Sequence, residues 1–86
     1  MSQHVVIDWA YNKYVFGWDQ PLQTFYLQKH DLTKDDEDDQ IVAWLGADKD
    51  TRMYEVEDLV REAQKLGLRI GHEMRVTLYG EKDRGE

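Results

Sequence analysis

Apolar and polar positions alternate loosely at the start of the chain. Val5, Ile7 and Trp9 fall on one side and Val6 and Asp8 on the other, which predicts a short strand. Asn12-Lys13 offers a turn. Tyr14-Val15-Phe16-Gly17-Trp18 then brings aromatic and β-branched residues, the types that suit a pleated, half-buried surface. Asp19-Gln20-Pro21-Leu22 breaks the run, because proline fixes φ and cannot donate to a ladder. Strand character resumes over 23–29, with Phe25 and Leu27 facing one way and Thr24, Tyr26 and Gln28 the other. The two runs read as a hairpin. A polar loop is expected over 30–40, followed by a strand at Ile41-Val42-Ala43-Trp44-Leu45 that Gly46 ends.

The period then changes. Val56, Leu59, Val60, Ala63 and Leu66 follow the i, i+3, i+4, i+7 spacing of one helical face and predict a helix near 54–66. Glu55, Glu57 and Asp58 in its first turn and Lys65 in its last complement the helix dipole. Gly67 can take the left-handed position after the helix, with Leu68 making the accompanying apolar contact. The C-terminal stretch fits two patterns. Met74, Val76 and Leu78 alternate as in a strand, whereas Met74, Thr77, Leu78 and Glu81 share a helical face. Together these elements give an α+β domain: a small antiparallel sheet of three or four strands, packed by one amphipathic helix. Residues 1–4 and 82–86 are expected to fray.

With 86 residues the chain has room for one domain. It contains no cysteine, which removes disulfides, thiolate metal sites and cysteine nucleophiles, and favours the cytoplasm. The N-terminus lacks a basic segment followed by a long apolar run, and no stretch approaches a membrane span. Eighteen acids against 11 bases give a net charge of −7. That sign repels phosphate backbones and anionic membranes, so neither nucleic acid nor a membrane is an expected direct partner.

Few residues could carry chemistry. His4, His30 and His72 lie far apart and include no pair spaced for a metal on one helical face. Ser2 is the only serine, and the six glycines are isolated, so neither a serine nucleophile nor a phosphate loop is present. Asp35, Asp36, Glu37, Asp38 and Asp39 join Asp31 to set six acids against Lys34 alone. Counted from Asp35, however, the sixth position is Gln40 and the twelfth Gly46, where a calcium loop needs glycine and glutamate. No cofactor, metal or catalytic set is expected, and an enzyme is not. The aromatic cluster leaves two readings open. Trp9, Tyr11, Tyr14, Phe16, Trp18, Phe25 and Tyr26 cannot all be buried, since alternation sends neighbours to opposite faces. Either the helix covers one face and cross-strand pairs stabilise the other, or Tyr14, Phe16, Trp18 and Tyr26 form a face that binds a partner.

The run Tyr14-Val15-Phe16-Gly17-Trp18-Asp19-Gln20-Pro21-Leu22-Gln23-Thr24-Phe25, with Trp44-Leu45-Gly46 further on, resembles a group of short, uncharacterised bacterial proteins, some on mobile elements. The resemblance spans residues 14–66 well and the C-terminus loosely, where it implies a short helix; Met1 to Lys13 extend beyond the usual start. It transfers no functional residue. Two functions are expected from these features. The first is a non-enzymatic protein-interaction module using the aromatic face, with a homodimer through exposed sheet edges also open. The alternative is an acidic inhibitor of a nucleic-acid-binding protein, such as a restriction or CRISPR nuclease. In that reading the acids at 35–39 and Glu55, Glu57, Asp58 and Glu62 stand in for phosphates.

Overall fold

A computed structural model describes residues 2–85, with only the backbone described for Glu37 and Asp38. Four strands, β1 (His4–Ile7), β2 (Asn12–Asp19), β3 (Thr24–Asp31) and β4 (Ile41–Leu45), form an antiparallel meander in the order β1-β2-β3-β4. A single turn of helix, α1 (Glu37–Gln40), precedes β4. A 3-10 turn at Lys49–Thr51 follows it, and α2 (Val56–Leu66) and α3 (His72–Arg84) complete the α+β fold.

The hairpin is where the sequence places it. Asp19 Oδ1 accepts the Leu22 N–H, and Pro21 opens a turn that Gln23 closes in the left-handed region, at φ 54°. The turn before it is shifted. Asn12 and Lys13 already pair in β2, because Asp8 holds the bend instead. Its Oδ1 accepts the N–H groups of Ala10 and Asn12, both at 2.9 Å, and Tyr11 takes φ 62°. The bond from the Asn12 N–H, ahead of its other contacts, holds the Asp8 carboxyl below its usual pKa. The expected loop over 30–40 is shorter too, since β3 continues to Asp31 and α1 fills 37–40.

Register sorts the side chains between two faces. Phe16 opposes Leu27 and Trp18 opposes Phe25, so these residues and Tyr14 share one face with His4 and Val6 of β1. Val56, Leu59 and Ala63 of α2 and Leu78 of α3 close over that face. Gly67 ends α2 at φ 102°, and Leu68 N–H returns to Ala63 O, the termination expected for that glycine. Helix wins over strand in the C-terminal stretch. Leu78 and Glu81 are buried and Met74 partly so, whereas Val76 and Thr77 are exposed, so no alternating face is used. At 13 residues α3 is longer than the short helix implied, and it runs to Arg84. Lys82 lies 5.8 Å from the centre of the Trp18 ring, and Gly85 caps the helix at φ 72°. Near the other end Ser2 N–H bonds Trp18 O at 3.0 Å; Met1 and Glu86 lie outside the described residues. Among the described residues no helix is long and apolar enough to cross a membrane.

Candidate interaction surface

Three of the four aromatics expected to bind a partner are core. Tyr14, Phe16 and Trp18 are only 1–2 % exposed, because the even positions of β2 face the helices. Trp18 packs edge-on against Phe25 at 4.9 Å, and its Nε1–H donates to Gln20 Oε1. The Tyr14 hydroxyl and Lys29 Nζ both donate to Leu66 O, tying the end of α2 to the sheet. Burial, with a smaller contribution from Asp8, pushes the Tyr14 hydroxyl pKa up. Tyr26 lies on the opposite face but is also nearly covered. Its hydroxyl donates to Ser2 O at 2.5 Å, and burial again raises its pKa, helped by Asp19 and Glu81. Gly17 makes this possible: a Cβ there would stand 2.4 Å from Ser2 O, so only glycine lets the N-terminal arm lie this close to β2.

The exposed apolar surface is elsewhere. α2 and α3 pack on one side only, which leaves Val5, Ile7, Val42 and Trp44 on the other, each about half exposed. Trp44 opposes Gln28, and beside them a hollow of about 170 Å³ is lined by Leu22 and Tyr26 among others. Trp9, at 93 % exposure, and Tyr11 stand on the β1–β2 turn. Pattern could have found this face: Val5, Ile7 and Trp9 share a parity, as do Val42 and Trp44. What the pattern lacks is the side on which the helices pack.

The acids flank one end of this face. Leu32 N–H bonds Tyr11 O at 2.9 Å, and Asn12 pairs with Asp31, so the aromatic turn adjoins the start of the acidic segment. Asp31 Oδ1 accepts the Thr33 hydroxyl and N–H, and the hydroxyl bond chiefly holds its pKa down. Asp35, Asp36 and Asp39 are exposed, while the side chains of Glu37 and Asp38 lie outside the described set. The acids of α2 form no open array. Asp58 pairs with Arg61, Glu62 with Lys65, Glu55 with Lys82, and Glu57 accepts the Tyr79 hydroxyl. That last bond lowers the Glu57 pKa and raises that of Tyr79.

Among the described residues no three His, Cys, Asp or Glu side chains gather as metal ligands. His4 meets Glu81 at 2.6 Å, His30 meets Gln28, and His72 begins α3 in solvent. A second hollow, of about 270 Å³ between the 3-10 turn and α2, mixes Arg52 and Arg61 with Asp50, Asp58 and Glu62. Three acids against two arginines leave it without a net attraction for anions, and nothing in it arranges a nucleophile beside a base. The chain matches no family model, no curated protein and no solved structure.

Proposed function

We propose that the chain is a non-enzymatic interaction module that binds another protein through the open face of its sheet. The observation that carries this is Trp44, Val42, Val5 and Ile7 exposed together on a face that neither long helix covers. Half-exposed apolar side chains at both margins of one sheet face, in a domain this small, favour an occupant, and tryptophan is a common anchor of such contacts. Strand spacing and rise give the face about 350 Å². A standard interface needs about 800 Å² per partner. The occupant therefore also has to engage the Trp9–Tyr11 turn and the acidic flank, which calls for an apolar centre with a basic border.

The acidic-inhibitor reading draws on the same flank. Exposed Asp35, Asp36 and Asp39 support it, whereas the pairing of Glu55, Glu57, Asp58 and Glu62 with neighbouring side chains counts against α2 as a phosphate substitute. A nuclease with a basic groove is thus one form the basic-bordered partner takes.

The test is quantitative capture from host lysate with the chain and a Trp9→Ser/Trp44→Ser variant, both checked for fold by circular dichroism. A protein retained by the first and lost from the second is the expected result. Equal retention by both would refute the open face as the binding surface.

A further inference from the structure

The outer edge of β1 has a hydrogen-bonding phase that follows from its partners. Ser2 N–H bonds Trp18 O and Asp8 N–H bonds Asn12 O, while His4 opposes Phe16 and Val6 opposes Tyr14. Opposed pairs in an antiparallel ladder alternate between bonded and non-bonded. His4, Val6 and Asp8 therefore bond inward to β2, and Ser2 joins them through its N–H and Oγ while its C=O accepts the Tyr26 hydroxyl. Gln3, Val5 and Ile7 turn their N–H and C=O groups outward, and among the described residues no strand pairs with them, since β1 is the sheet's first strand.

This edge carries none of the usual guards. Between Ser2 and Ile7 there is no proline, lysine or acid, and its ladder with β2 runs without a register shift. The one ionisable side chain, His4, points to the helix side and meets Glu81. The edge formed by β4 differs. Its ladder with β3 shifts register at Lys29/His30, and the acidic segment with α1 packs beside it. Two copies joined through β4 would bring those acids together, whereas two joined through β1 would keep them on the far sides of both sheets.

We propose that β1 pairs antiparallel with β1 of a second copy, giving one continuous eight-stranded sheet. The outward set has an odd number of members centred on Val5, so a twofold axis there is self-complementary. Val5 faces the partner's Val5, and Gln3 faces the partner's Ile7. Each of the three pairs exchanges two backbone bonds. Six bonds are what about 600–1,200 Å² of interface carries at the usual density. The two open faces then lie side by side in one surface, but the pairing stands on the edge geometry and does not depend on what that surface binds.

The absence of cysteine makes the register directly testable. In a bonded pair the two Val5 Cα atoms would lie about 5.5 Å apart, within disulfide reach. Gln3 would lie about 14 Å from the partner's Gln3, and Ile7 equally far from the partner's Ile7. Under mild oxidation V5C should crosslink severalfold more than Q3C or I7C alone, and a mixture of Q3C with I7C should crosslink like V5C. Light scattering on the unmodified chain should give twice the 10.2 kDa chain mass, and Val5→Lys should return it to one chain with an unchanged circular dichroism spectrum. A one-chain mass at every concentration up to the solubility limit would overturn the proposal. So would crosslinking at Gln3 or Ile7 alone equal to that at Val5.

Discussion

Thr24 shows how a single hydroxyl can join segments that lie far apart in the chain. It is fully buried, and its Oγ accepts the Met53 N–H at 2.8 Å while lying 3.1 Å from Met53 O. With the Phe25 N–H to Met53 O bond beside it, this side chain stitches the segment entering α2 to the start of β3. Thr24→Val keeps the shape and removes the acceptor, so the Met53 N–H is left buried without a partner. Such a loss costs about 1–3 kcal/mol, and urea unfolding should report it as a lower midpoint with an unchanged slope. A variant as stable as the parent would mean that Met53 is satisfied in another way. From the sequence Thr24 was only an outward position in an alternating strand. Nothing local announces a partner 29 residues away, and Gly17 is similar. A glycine inside a strand signals close approach, but nothing in the sequence names Ser2 as the approaching segment.

At the level of elements, the parts written in local chemistry were readable and the parts decided by packing were not. Both strands of the hairpin, its Asp19–Pro21 turn, β4, and α2 with its Gly67 ending all follow from spacing, propensity and cap residues. The aromatic face stayed open between two readings, because alternation says that Tyr14, Phe16 and Trp18 share a side but not that the helices choose it. α3 was ambiguous because of its three inward residues, Met74, Leu78 and Glu81, one is ionisable, so its apolar stripe is thin. That residue is also what joins α3 to β1. Glu81 Oε2 meets His4 at 2.6 Å, while its Oε1 is buried without a partner. Breaking a buried pair from one side costs more than replacing the buried ionisable group by an apolar one of similar size. His4→Ala should therefore destabilise by about 2–3 kcal/mol, with Glu81→Met costing less and rescuing His4→Ala in the double variant. Denaturant unfolding of the three variants gives the cycle, and a double variant weaker than His4→Ala alone would show that Glu81 has supports besides His4.

Across the whole molecule, apolar and charged surfaces are segregated. Helices occupy one side of the sheet, half-exposed Val42 and Trp44 the other, and the acidic segment starts at Asp31 beside the Trp9–Tyr11 turn. The two surfaces respond to salt in opposite ways. Screening shortens the reach of exposed charges to about 8 Å at physiological ionic strength and about 3 Å at 1 M, while burial of apolar area does not weaken with added salt. Charge complementarity acts mainly on the association rate and apolar packing on the dissociation rate. For the partner captured through Trp44, raising salt should therefore slow association while leaving dissociation nearly unchanged. Replacing Asp35, Asp36 and Asp39 by Asn should reproduce the slower association at low salt and flatten its salt dependence, with circular dichroism unchanged. Trp44→Ser should instead speed dissociation. If the Asn variant abolished binding and Trp44→Ser left it intact, the acids would carry the affinity, and the inhibitor of a basic nucleic-acid-binding protein would be the better description. If surface plasmon resonance divides the effects as expected, the sheet face anchors the partner and the acids only guide it in.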